Sequence, residues 1–197
     1  MGATVFGGYD RAGLDAQYNN RAKVPTFEAQ IARWVAQGQH ARASLAPRLD
    51  VRYGGGERET LNVYAARGAA PAPVLVWIHG GYWRSLDKAD FSFVAPAFHA
   101  AGATVVIPNY ALCPAVTIET IALQMTRALA WTWRHIDQYG GDAARIVVAG
   151  HSAGGHLAAM LMTCDWCAVA DDLPAGLASR ALSISGLFDL HPLAVSY

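Results

Sequence analysis

The sequence predicts an α/β fold, a mostly parallel sheet with helices on both of its faces. Three observations carry that expectation. Short β-branched runs alternate with helix-length amphipathic stretches along the chain, and strands joined by helical connections form parallel, right-handed crossovers. Two of the apolar runs, Val74–Ile78 and Arg145–Ala149, lead straight into glycine-rich turns. Of the 197 residues, 53% are hydrophobic and 15% charged, enough apolar side chain for a large core.

The elements follow in order. Pro25 and Thr26 open a helix over 26–46 and Pro47 closes it, with Phe27, Ile31, Trp34 and Val35 recurring at helical spacing. Leu49–Tyr53 and Thr60–Ala65 read as the first two strands, with Gly54-Gly55-Gly56 as the turn between them. Val74–Ile78 is the third strand. Asp87–Ala101 reads as a helix with Phe91, Val94 and Phe98 on one face, and Pro96 is expected to kink it. Ala103–Ile107 is the fourth strand, ending in Pro108-Asn109-Tyr110. Thr117–Tyr139 reads as a long helix carrying Ile118, Ile121, Met125, Leu129 and Ile136, stopped at Gly140-Gly141. Arg145–Ala149 is the fifth strand, Ala153–Met162 a helix, and Arg180–Ser185 the sixth strand. No repeat, low-complexity tract or linker divides the chain, so 1–197 is expected to be one domain.

Bulk properties exclude several classes. Lys plus Arg equals Asp plus Glu at 15 each, so no net charge draws the chain to nucleic acid or to an anionic membrane. No run reaches the roughly 18 apolar residues of a membrane span. Met1–Asp10 lacks the basic-then-apolar pattern of a signal peptide, which leaves the cytoplasm as the expected compartment. Three cysteines, Cys113, Cys164 and Cys167, argue against a disulfide framework. The Cys164–Cys167 spacing has no second ligand pair and reads as two reduced thiols near a helix end.

The chemistry concentrates in two places. Gly150-His151-Ser152-Ala153-Gly154 is a G-x-S-x-G stretch set between a buried strand and a small-residue helix. A sharp strand-to-helix turn of this kind lifts the serine Oγ clear of the sheet and brings the next backbone N–H beside the reacting carbon. About 70 residues upstream, the third strand runs into His79-Gly80-Gly81-Tyr82-Trp83. Acyl transfer passes through a tetrahedral oxyanion that needs donors already aimed at it. The N–H groups of Gly80, Gly81 and Ala153 are the candidates, and Ser152 is the candidate nucleophile.

Taken together, His79-Gly80-Gly81-Tyr82-Trp83 and Gly150-His151-Ser152-Ala153-Gly154-Gly155-His156-Leu157 resemble the esterase/lipase-like α/β-hydrolases, and within them the kynurenine formamidase (arylformamidase) branch. Tyr18-Asn19-Asn20-Arg21-Ala22 and Ser185-Gly186-Leu187-Phe188-Asp189-Leu190 are similar to that branch as well. The resemblance implies an α/β-hydrolase fold and a serine hydrolase that cleaves a small carboxylic ester or an aryl formamide such as N-formylkynurenine. It implies no metal and no organic cofactor. It makes Tyr82, Trp83 and Tyr110 the aromatic walls of the substrate pocket.

The chain departs from that pattern at its end. The family orders its triad as Ser, then Asp or Glu, then His, the last two after the seventh and eighth strands. Only a dozen residues follow the sixth strand here, so the last two strands and the triad acid and base are expected to be missing, as in a C-terminally truncated hydrolase with impaired activity. Sheet strand six would then be a bare edge, inviting a homodimer. Among the histidines present, His79 is expected to pin the oxyanion loop, while His151 and His156 read as packing residues and His40, His99 and His135 as helix residues. Asp189 and His191, two apart after strand six, could share a side and substitute for the lost partners. A reading from another class is a small-molecule binder that keeps the fold without the chemistry, or an inactive fragment.

Overall fold

Short apolar runs set the central strands, and turn residues set most of their ends. The computed structural model describes residues 3–68 and 71–196. They form two compact units, one running from the N-terminus to Arg33 together with Leu187 onward, the other Trp34–Gly186.

In the first unit, β1 (Thr4–Phe6) and β2 (Tyr9–Asp10) pair antiparallel across Gly7 and Gly8. Both glycines have positive φ, +54° and +87°. Asp10 caps α1 (Arg11–Tyr18) by accepting from Gly13 N at 2.9 Å, and Asn19 caps α2 (Asn20–Lys23) by accepting from Ala22 N. These elements lie outside the sequence expectation because caps and turns form them, with little apolar periodicity.

Helix α3 (Phe27–Leu45) follows, matching the expected helix to within a residue at each end. The stripe Phe27, Ile31, Trp34 and Val35 is half-buried. The deepest positions are Gly38 and Ala41. A Cβ on Gly38 would stand 3.1 Å from Ala89 O, so the helix packs there through its backbone.

The second unit is built on a six-stranded sheet: β3 (Arg48–Arg52), β4 (Thr60–Tyr64), β5 (Ala72–Ile78), β6 (Thr104–Pro108), β7 (Gly141–His151) and β8 (Ala181–Ile184). Their spatial order is β3-β4-β6-β5-β7-β8. β4 runs antiparallel to both β3 and β6, and β6, β5, β7 and β8 are mutually parallel. β4 and β6 are buried at every residue, as strands covered on both faces must be. β8 forms an edge and is exposed at all four residues.

Two helices depart from expectation. Asp87–Ala101 is not one kinked helix. A 3₁₀ helix, Lys88–Val94, starts on an Asp87/Asp90 capping box, and α4 (Ala95–Ala100) begins where it stops. Pro96 falls in the first turn of α4, where a missing N–H costs nothing, so it starts a helix and bends none. The long helix is α5 (Ile118–His135), capped by Thr117, and it tightens into a 3₁₀ turn, Ile136–Tyr139, before Gly140 at φ +72° ends it. Ile121, Met125 and Leu129 are its buried face. α6 (Ala153–Met162) has the expected bounds; α7 (Trp166–Val169) and α8 (His191–Val195) complete the chain. Among the described residues, no helix is long and apolar enough to cross a membrane.

α6 folds back onto the sheet so closely that backbone meets backbone. A Cβ on Gly154 would stand 2.1 Å from Ile78 O and 2.6 Å from His79 O. Gly154→Ala should therefore lower the unfolding free energy by about 3 kcal/mol in urea denaturation. Gly55→Ala, where an added Cβ meets nothing within 4 Å, should stay within about 0.5 kcal/mol of wild type.

Candidate active site

Strands β5 and β7 are parallel neighbours, and Ile78 lies opposite Gly150. The residues that follow, His79 just past β5 and His151 as the last residue of β7, therefore come side by side at the C-terminal edge of the sheet, where open α/β sheets bind ligands. Ser152 turns the chain from β7 into α6 with φ +57° and ψ −120°. That conformation costs an L-residue on the order of 1–3 kcal/mol. The turn is held by Ser152 N donating to Ile184 O at 2.8 Å and by His156 N donating to Ser152 O at 3.1 Å. Ser152 occupies the N-cap position of α6, yet its hydroxyl makes no capping hydrogen bond. Two positions away on either side only glycine fits: a Cβ on Gly150 would stand 2.2 Å from Gly154 O, and one on Gly154 2.1 Å from Ile78 O.

The glycine loop comes into contact with this turn. A Cβ on Gly80 would lie 2.7 Å from His151 O and 3.1 Å from Ser152 Cβ. Gly81 has φ +120° and reverses the loop, its carbonyl accepting from Arg84 N and Ser85 N at 3.0 Å each. Among the described residues, the amides of Gly80, Gly81 and Ala153 donate no hydrogen bond. Two of these N–H groups lie on the glycine loop and one at the start of α6, and Gly80 is the loop residue in contact with the Ser152 turn.

The loop is fastened from behind. His79 is fully buried, with Nδ1 2.7 Å from Gly80 O and Nε2 3.0 Å from Asn109 Oδ1. Its ring stacks on Tyr110 at 4.2 Å, and the Tyr110 hydroxyl donates to His79 O at 2.8 Å. Burial pushes the His79 imidazole down to about 4, so it is neutral at physiological pH. Asn109 Nδ2 donates to Asp87 Oδ2 at 2.7 Å. Against the upward push of burial, hydrogen bonds from Ala89 N and Asn109, with Lys88 and Arg58 nearby, hold the Asp87 carboxyl below its ordinary range. The pinning role expected for His79 rests on these contacts. Asn109 and Asp87 were not foreseen as its supports.

Tyr110 is wholly buried. Trp83 is buried too, edge-on to His156 at 5.3 Å and 87°, and Tyr82 is half-buried. Both Tyr82 and Trp83 have left-handed backbones, φ +51° and +56°. Trp83 Nε1 and His156 Nδ1 are buried without a hydrogen-bond partner among the described residues. Burial lowers the pKa of both His151 and His156. No described side chain hydrogen-bonds Ser152 Oγ. Asp189 and His191 do meet, Oδ1 to Nδ1 at 2.9 Å with both side chains largely exposed, in the unit that does not contain Ser152.

The geometry has counterparts. The BD-FAE family model matches residues 61–172. The chain is 32% identical to a kynurenine formamidase of Danio rerio over 87% of its own length and 56% of that protein's. It is 35% identical to esterase LipQ of Mycobacterium tuberculosis over 62% of this chain and 30% of the other. A solved structure from Silicibacter sp. tm1040, described as a candidate thioesterase, superposes with TM-score 0.79 at 35% identity, covering 92% of this chain and 66% of that one. The chain thus spans about half the length of the kynurenine formamidase it matches, and its fold is the α/β-hydrolase fold.

Buried neutral His79 makes stability depend on pH. The unfolded chain takes a proton on this ring below 6.5, whereas the folded chain resists it until about 4. The unfolded state binds more protons inside that window, so stability rises with pH there. The contribution, about 3 kcal/mol, is complete above pH 6.5 and lost as pH falls toward 4. Thermal melts from pH 7 to 4.5 should show a falling Tm in wild type and a shallower fall in His79→Gln; parallel curves would refute the assignment.

Proposed function

We propose that this chain, which belongs to the BD-FAE family, is a serine hydrolase of small carboxylic esters or aryl formamides. The observation that supports the reading is the approach of Gly80 to within contact of Ser152, whose hydroxyl makes no capping hydrogen bond. Ser152 Oγ attacks the substrate carbonyl carbon. Its oxygen takes the developing charge and is received by the N–H groups of Gly80, Gly81 and Ala153. The tetrahedral species collapses, the alcohol or amine leaves with a proton, and an acyl-serine, or a formyl-serine from a formamide, remains for water to release. Tyr82 and Trp83 are the aromatic residues we assign to the substrate side of the loop, which suits a planar aromatic leaving group; Tyr110, also expected there, is wholly buried behind the loop with its hydroxyl on His79 O and backs the donors without walling a pocket. The kynurenine formamidase and esterase relatives support both substrate classes.

Proton transfer from Ser152 requires a histidine held by a carboxylate. Among the described residues none hydrogen-bonds the hydroxyl, so the reading includes impaired turnover by the chain as it stands. Loss of the base costs on the order of 10⁶ in kcat, while the oxyanion donors and binding alone keep roughly 10³ over water. Slow 4-nitrophenyl acetate hydrolysis should disappear in Ser152→Ala, and a fluorophosphonate should label Ser152 far more slowly than it labels an intact esterase. Turnover that survives Ser152→Ala would defeat the proposal, and labelling at full esterase speed would defeat its impaired form.

The reading also includes a homodimer formed along β8. Its backbone edge is open, and Leu182 and Ile184, on one face of the strand, are 54% and 38% exposed. Light scattering should give a dimer mass that Leu182→Lys reduces to a monomer; a wild-type monomer would remove this part.

A further inference from the structure

We infer that Arg58 is a positioning residue for the oxyanion loop, a role that rests on the hydrolase reading above. Arg58 lies in the turn between β3 and β4, distant in sequence from every residue it holds. Its Nε donates to Tyr110 O at 2.7 Å, and its Nη2 donates to Leu86 O at 2.9 Å and to Asn109 Oδ1 at 3.0 Å. Asp87 Oδ2 stands 3.3 Å from the same Nη2. One guanidinium therefore joins the end of the glycine loop at Leu86 and Asp87 to the segment that carries Asn109 and Tyr110.

Both of those residues lead back to the oxyanion donors. Asn109 Oδ1 meets His79 Nε2, and the Tyr110 hydroxyl binds His79 O, the carbonyl next to the Gly80 amide. The loop needs such a clamp. Gly81, Tyr82, Trp83 and Leu86 all have positive φ, and backbone in that region relaxes unless its surroundings hold it. The turn bearing Arg58 is itself fixed. Glu59, 5% exposed, accepts from Gly56 N at 2.7 Å and pairs with Arg127, and the Tyr53 hydroxyl donates to Asn109 O at 2.6 Å.

A lysine would keep the charge but cannot serve two carbonyls and an amide oxygen from a planar fork. Arg58→Lys in the full chain should raise amide hydrogen exchange across Gly80–Leu86 by about 10-fold while leaving exchange in the central strands unchanged. It should lower the kcat of Ser152-dependent 4-nitrophenyl acetate hydrolysis on the order of 10²-fold with KM within about twofold, because misaimed donors fail in the transition state and not in substrate capture. Unchanged loop exchange, or unchanged kcat despite a loosened loop, overturns the inference. If wild type shows no Ser152-dependent turnover, the hydrolase reading has failed, and the exchange experiment alone decides the clamp. Should Arg58→Lys not fold, Asp87→Asn, which can still cap the 3₁₀ helix, replaces it: faster loop exchange supports the clamp and unchanged exchange overturns it.

Discussion

Backbone must touch backbone where β5 and β7 end, and most of the architecture serves that contact. Gly154 presses on the carbonyls of Ile78 and His79, Gly150 on the carbonyl of Gly154, and Gly80 on His151 and Ser152. The parallel pairing of Ile78 with Gly150 sets the level at which both loops depart, and the buried sheet beneath keeps that register. A larger residue at any of these places would force the Ser152 turn, the helix and the glycine loop apart.

The strain in this region is met by polar bonds as well as by the packing of Trp83 and Leu86. Ser152, Tyr82, Trp83 and Leu86 are four non-glycine residues with left-handed backbones within two short loops. What opposes their relaxation is a buried set of hydrogen bonds through His79, Asn109, Tyr110 and Asp87. Such a network is effective only when nearly every member is satisfied. Asn109 illustrates the point: its amide nitrogen donates to Asp87, and its oxygen accepts from Arg58 and from the Lys88 amide.

How much of this was legible in the sequence depends on the range of the interaction. α6 has the bounds read from Ala153 and Met162, because a local motif fixes its start. Ser152 and the two glycines could be named for the same reason. Pro96 was misread because a proline inside a helix and a proline opening one look alike in sequence, and only the preceding 3₁₀ turn tells them apart. The β1–β2 hairpin was missed although Gly7-Gly8 between Phe6 and Tyr9 is a two-residue hairpin signal. Asn109 and Asp87 had no signal to find: their partners lie tens of positions away, and nothing in the spacing of polar residues announces a contact made across a sheet.

The uncharged state of His79 bears on what the glycine loop attracts. A protonated ring beneath the glycines would draw any anion toward them. A neutral ring presents a dipole there instead. On the hydrolase reading proposed above, an acid product would find no imidazolium beneath the loop to hold it.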